Sequence, residues 1–224
     1  RLADAGHAVV TFNFSRNGVG EDLQNFTELE SFAANTLTLE LEELRLILDR
    51  VLDGTLLGAP PQRVGILGHS RGGATSVVAA SEDTRISSLV TWAAIAGFDR
   101  WTEEAKEAWR RDGRIWIPNA RTKQQMPLDV TLLHDFEDQR DRLDVLRAAG
   151  RLELPWLVVH GTSDATVDPE DGRALAEAGP EAELLWIEGG GHTFEARHPF
   201  QGAPPELTAA LDATVRHFQR TLST

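Results

Sequence analysis

The stretch "VGILGHSRGGATSVV", residues 64–78, changes its hydrophobic period at a single serine. Before it, Val64, Ile66 and Leu67 read as a short buried strand; after it, Ala74, Val77, Val78 and Ala79 fall on one face of a helix. A strand that becomes a helix over so few residues leaves the hinge side chain, Ser70, pointing out of the top of a sheet. The pentad Gly68-His69-Ser70-Arg71-Gly72 has the GxSxG spacing of a nucleophile elbow. Small residues two before and two after the serine are expected where strand and helix nearly touch.

Strands and helices alternate on both sides of this turn. Upstream, the spacing predicts a strand from about His7 to Phe14 and a helix over 35–52, where Leu37, Leu41, Leu44, Leu48 and Val51 form one stripe and Gly54 ends it. A further strand is expected over Arg63 to Leu67. Downstream follow a helix to about Ala80 and the run "ISSLVTWAAIA", a buried strand from Ile86 to about Ala94. Residues 98–150 are more charged, and "DGRIWIPNARTKQQMPL" breaks their helical pieces, so this segment reads as a cap-like insertion within one domain of residues 1–224. Then "PWLVVHG" is a strand, "DPEDGRALAEAG" a helix, "AELLWI" a strand, and Leu207, Leu211, Val215, Phe218 and Leu222 mark a final helix. The pattern implies an α/β fold with a mainly parallel sheet covered by helices on both faces.

Composition narrows the function. With 224 residues and 41% hydrophobic content the chain can bury a sizeable core. A formal net charge of -13 argues against nucleic acid and against an anionic membrane surface. There are no cysteines, hence no disulfide, thiolate metal site or cysteine nucleophile. No apolar run approaches the length of a membrane span. The acidic balance fits a cytoplasmic protein, and nothing in the sequence speaks to the oligomeric state.

In parallel sheets functional groups gather at the carboxyl ends of strands. Three strands here end in Ser70, in the Asp164 loop "HGTSDATVD", and in the His192 loop "GGGHTF". A serine hydroxyl is a poor nucleophile until a base takes its proton, and that base is usually a histidine oriented by a carboxylate. Taken singly, Asp164 is a turn residue and His192 a loop histidine; at three successive strand ends they become a candidate site. Asp168, before Pro169, reads as a helix cap. His69 and His160 flank strand ends and read as structural. His192, Glu195 and His198 follow a glycine loop rather than a helical ligand spacing, so no metal is assigned. Trp92, Trp101, Trp109 and Trp116 either line an acyl pocket or pack a core.

The pieces "LADAGHAVVTFNFSRNGVGED", "GHSRGG", "NARTKQQMPL", "HGTSDATVDP" and "GGGHTFEARHPF" resemble the α/β-hydrolase superfamily, and more closely its dienelactone hydrolase-like and prolyl oligopeptidase-like esterases. The order Ser, Asp, His along the chain is that of the superfamily. The resemblance implies Ser70 as nucleophile, Asp164 as acid, His192 as base and the Arg71 N–H as an oxyanion donor. The expected function is hydrolysis of a small-molecule carboxylic ester or thioester with no cofactor, the alternatives being a peptidase or acyltransferase on the same three residues, or a non-catalytic scaffold that binds. Dienelactone hydrolases proper use cysteine, so that subgroup name says little about the substrate. In the family, a strand and a loop carrying a second oxyanion amide precede the helix whose tail matches Arg1 to Gly6. That strand lies in mid-sheet between the ones at His7 and Arg63. The expectation is therefore that this sequence continues upstream, and that without the strand its neighbours have unpaired edges.

Overall fold

The computed structural model describes residues 1–22, 24–119 and 121–223. In chain order the elements are α1 (Leu29–Ala33), α2 (Leu37–Leu52), β1 (Val64–His69), α3 (Arg71–Glu82), β2 (Ile86–Trp92), α4 (Glu103–Asp112), β3 (Arg114–Pro118), β4 (Gln125–Asp129), α5 (Val130–Asp138), α6 (Val145–Ala149), β5 (Trp156–Gly161), α7 (Pro169–Ala178), β6 (Ala182–Ile187) and α8 (Pro205–Leu222). They fall into two compact units. One comprises Arg1–Val10, Ile47–Phe98 and Asp144–Thr224, the other Thr11–Leu46 and Asp99–Leu143.

The first unit is built on a parallel sheet of order β1-β2-β5-β6. Side chains alternate across a strand, and both faces are covered. Val90, Leu157, Val159 and Ile187 point to the face packed by Leu207, Ala210, Ala213 and Phe218 of α8. Ser88, on that same face, bonds His217 of α8. The alternate residues, Leu89, Trp156 and Val158, are equally buried and face the side of α3, whose Ala74, Val77 and Val78 are inaccessible to water. Full burial on both faces explains why β5 reads as a near-continuous apolar run.

Two segments differ from the pattern expected of their sequence. Residues 7–14 form no strand: a ladder needs a partner, and among the described residues β1 pairs with β2 alone. Val9 and Phe12 are accordingly 48% and 39% exposed. For the same reason β1 is not a buried strand. It lies at the sheet edge, and Leu67 is 37% exposed.

In the second unit, residues 112–128 do separate two helices, α4 and α5, and they do so as a pair of strands. Gly113 caps α4 in the left-handed region, and the chain then pairs with itself as an antiparallel hairpin, Arg114 opposite Asp129 and Ile117 opposite Met126. The hairpin is pinned by Arg114, which bonds Asp129 at 2.6 Å and Glu30 of α1 at 2.8 Å, and by the Trp109 indole, which donates to Leu128 O at 3.0 Å. Trp109 is fully buried and meets Trp101 edge-on, so this tryptophan packs a core, whereas Trp116 on β3 is exposed. Among the described residues no helix is long and apolar enough to cross a membrane.

Candidate active site

The turn at Ser70 carries strain. Ser70 has φ 56° and ψ -124°, a region that side-chain-bearing residues avoid at a cost of about 1–3 kcal/mol. It is held there because its N–H donates to Trp92 O at 2.8 Å while its own carbonyl accepts from Gly73 at 3.0 Å. A Cβ on Gly68 would stand 2.4 Å from Gly72 O, so β1 and α3 do nearly touch. The matching close approach on the helix is at Gly73, where a Cβ would lie 2.5 Å from Ala94, and not at Gly72, where it would meet nothing within 4 Å. The second small residue required by packing is thus three after the serine, not two.

Asp164 follows β5, and its loop is tied to the loop after β6: Ser163 N–H donates to Gly190 O at 3.0 Å and Gly189 N–H to Thr162 Oγ1 at 2.9 Å. One Asp164 oxygen accepts the Thr166 and Val167 amides at 2.8 and 3.0 Å. The other lies 2.8 Å from His192 Nδ1. Burial by itself raises the carboxyl pKa, but the Val167 amide, His192 and the Thr166 amide outweigh it and hold Asp164 below the usual carboxylate range. The carboxylate therefore stays ionised although its side chain is shut off from water.

His192 completes the row, with Nε2 3.1 Å from Ser70 Oγ. Because Nδ1 faces a carboxylate, that nitrogen carries a proton and Nε2 presents its lone pair to the hydroxyl. The three residues read from the strand ends thus stand in one hydrogen-bonded line. Arg71 directly follows Ser70 as the first residue of α3, at the positive end of a helix of 12 residues. Asp168 caps α7 by accepting the Glu170 amide at 3.0 Å. Glu195 accepts the Gly191 amide at 3.1 Å, inside the His192 loop.

Two histidines outside this line lie against it. His160 is fully buried, its Nε2 3.3 Å from Val167 O and 3.4 Å from Asp164 Oδ2. His69 Nε2 is 2.8 Å from His192 O, and burial lowers its pKa. No spacing in the sequence links position 69 to position 192; only the placing of a histidine next to the serine hinted at it.

The solved structures that share this fold include the esterase domain of a Rhodothermus marinus protein (TM-score 0.57, 16% identity, 85% of this chain and 71% of that one). Est1E of Butyrivibrio proteoclasticus in its ferulic acid complex gives a TM-score of 0.61 at 18% identity, covering 87% and 72%. The monoacylglycerol lipase of Paleococcus ferrophilus gives 0.58 at 18% identity, covering 82% and 76%. Over 97 residues the chain is 33% identical to polyketide synthase ThaQ of Burkholderia thailandensis; this is 43% of the present chain and 5% of that protein, so the chain spans a small part of this curated relative. Residues 1–211 match the alpha/beta hydrolase family, to which the chain belongs.

Proposed function

We propose that the protein is a serine hydrolase that cleaves small carboxylic esters or thioesters through an acyl-enzyme. The observation that carries this reading is the line of hydrogen bonds from Ser70 through His192 to Asp164. Ser70 Oγ attacks the carbonyl carbon while His192 Nε2 takes its proton, and Asp164 holds the imidazole tautomer and favours the imidazolium. The negative charge that forms on the carbonyl oxygen is met by the Arg71 N–H at the start of α3, a donor type worth about 3–4 kcal/mol in such reactions. Collapse of the tetrahedral adduct breaks the ester bond, and His192 returns the proton to the departing alcohol or thiol. Water then attacks the acyl-serine with His192 again as base, releasing the acid and the free hydroxyl. The strained backbone at Ser70 supports the same reading, since strain of that size persists where geometry is needed.

The test is pre-steady-state hydrolysis of an activated aryl ester, with an acyl thioester alongside because of the partial likeness to a polyketide synthase. A burst of about one product per chain that is absent in Ser70→Ala is the expected result. Hydrolysis without a burst, equal in the two proteins, would favour a hydrolase scaffold used for binding.

A further inference from the structure

The loop bearing His192 is held at two points by residues that stand side by side on neighbouring strands. His69 and Trp92 are register partners at the carboxyl ends of β1 and β2. His69 makes the first hold, its Nε2–H donating to the His192 carbonyl at 2.8 Å, with the two rings 4.7 Å apart. Trp92 makes the second. Its indole is fixed by a 3.0 Å bond to Thr214 Oγ1 on α8 and meets the Phe194 ring edge-on at 5.4 Å. Phe194 is completely buried although its φ is 50°, and Glu195 after it has φ 61°, so packing imposes a backbone that these residues do not choose alone. The same pair also flanks the serine: His69 precedes it in the chain and Trp92 O accepts its N–H at 2.8 Å.

We propose that His69 and Trp92 are positioning residues that fix the His192 ring over Ser70, His69 through one hydrogen bond and Trp92 through Phe194. The proposal rests on Ser70 and His192 being nucleophile and base. Misplacing a reacting group by 1 Å costs about 10²-fold in rate, and neither residue in this pair needs to touch substrate to prevent it.

The test compares His69→Gln with His69→Asn in the whole chain. The glutamine amide reaches where imidazole Nε2 stands; the asparagine amide reaches only as far as Nδ1. Both variants are polar and both lack the ring; asparagine is one methylene shorter, so the unfolding free energy of each is measured and rates are compared per folded molecule. The readouts are kcat and KM for an activated ester and the rate at which a fluorophosphonate labels Ser70. His69→Asn is expected to lower kcat and the labelling rate by about 10²-fold with KM changed little, and His69→Gln to recover most of that loss. Equal rates in the two variants, or a loss confined to KM, would overturn the proposal. If the asparagine variant does not fold, Phe194→Leu tests the other hold: a fall in kcat at constant KM supports it and an unchanged kcat overturns it. Failure of the unaltered protein to react with the probe removes the nucleophile reading, and this inference with it, and is recognised without any variant.

Discussion

Asp164 in one unit and Lys106 in the other are both charged groups shut away from water, and they are satisfied in opposite ways. Asp164 is surrounded by the amides of Thr166 and Val167 and the ring of His192, donors that stabilise its charge without cancelling it. Lys106, with a side chain 3% exposed, lies 2.6 Å from Asp99 and 3.0 Å from Glu103, and the Asp99 hydrogen bond raises its pKa. Counter-charges on Lys106 leave a locally balanced cluster, to which Arg140 adds a contact with Asp99 at 3.3 Å. Amide donors stabilise a buried charge and leave its net charge to act on a neighbour, whereas adjacent counter-ions offset most of that field beyond the cluster. On the proposed function, Asp164 is the buried ion assigned to chemistry and Lys106 the one that packs a fold.

The sharpest way to break this contrast is to remove the charge from Asp164 while keeping its shape. Asp164→Asn is expected to lower kcat by about 10⁴-fold, because the amide no longer favours the imidazolium or enforces the tautomer, while circular dichroism reports an intact fold. A loss below tenfold, measured by steady-state hydrolysis, would show that the field of Asp164 is not used. The smaller effect belongs to Lys106→Met. Asp99 is one-third exposed and keeps Arg140, so the change is expected to cost about 1–3 kcal/mol of unfolding free energy in denaturant titration. Hydrolysis per folded molecule should be unaltered, and a large fall in kcat at unchanged stability would erase the distinction between the two ions.

The line of Ser70, Asp164 and His192 was legible because each residue sits just past an apolar run, where a parallel sheet delivers side chains to one edge. Their order along the chain added the rest. What escaped reading depended on pairing. Residues 7–14 have the composition of a strand, but a strand exists only where another supplies its ladder, and none of the described residues does so. The hairpin of β3 and β4 hid for the converse reason: Arg114, Pro118, Pro127 and Asp129 blur the alternation, yet the two segments satisfy one another. The contact of His69 with the His192 loop has no sequence signature, because it is set by register with Trp92 and by a loop 123 positions away. The five-residue pattern ends at Gly72, one residue short of Gly73 and its contact with Ala94.

Whether Ser70 is an activated nucleophile is decided by the intact mass of the folded protein before and after exposure to a fluorophosphonate, with Ser70→Ala treated in parallel. An activated Ser70 gives a single probe adduct on the unaltered protein and none on the variant. No adduct on the folded, unaltered protein, or an adduct that persists in Ser70→Ala, would contradict the assignment of Ser70 as nucleophile.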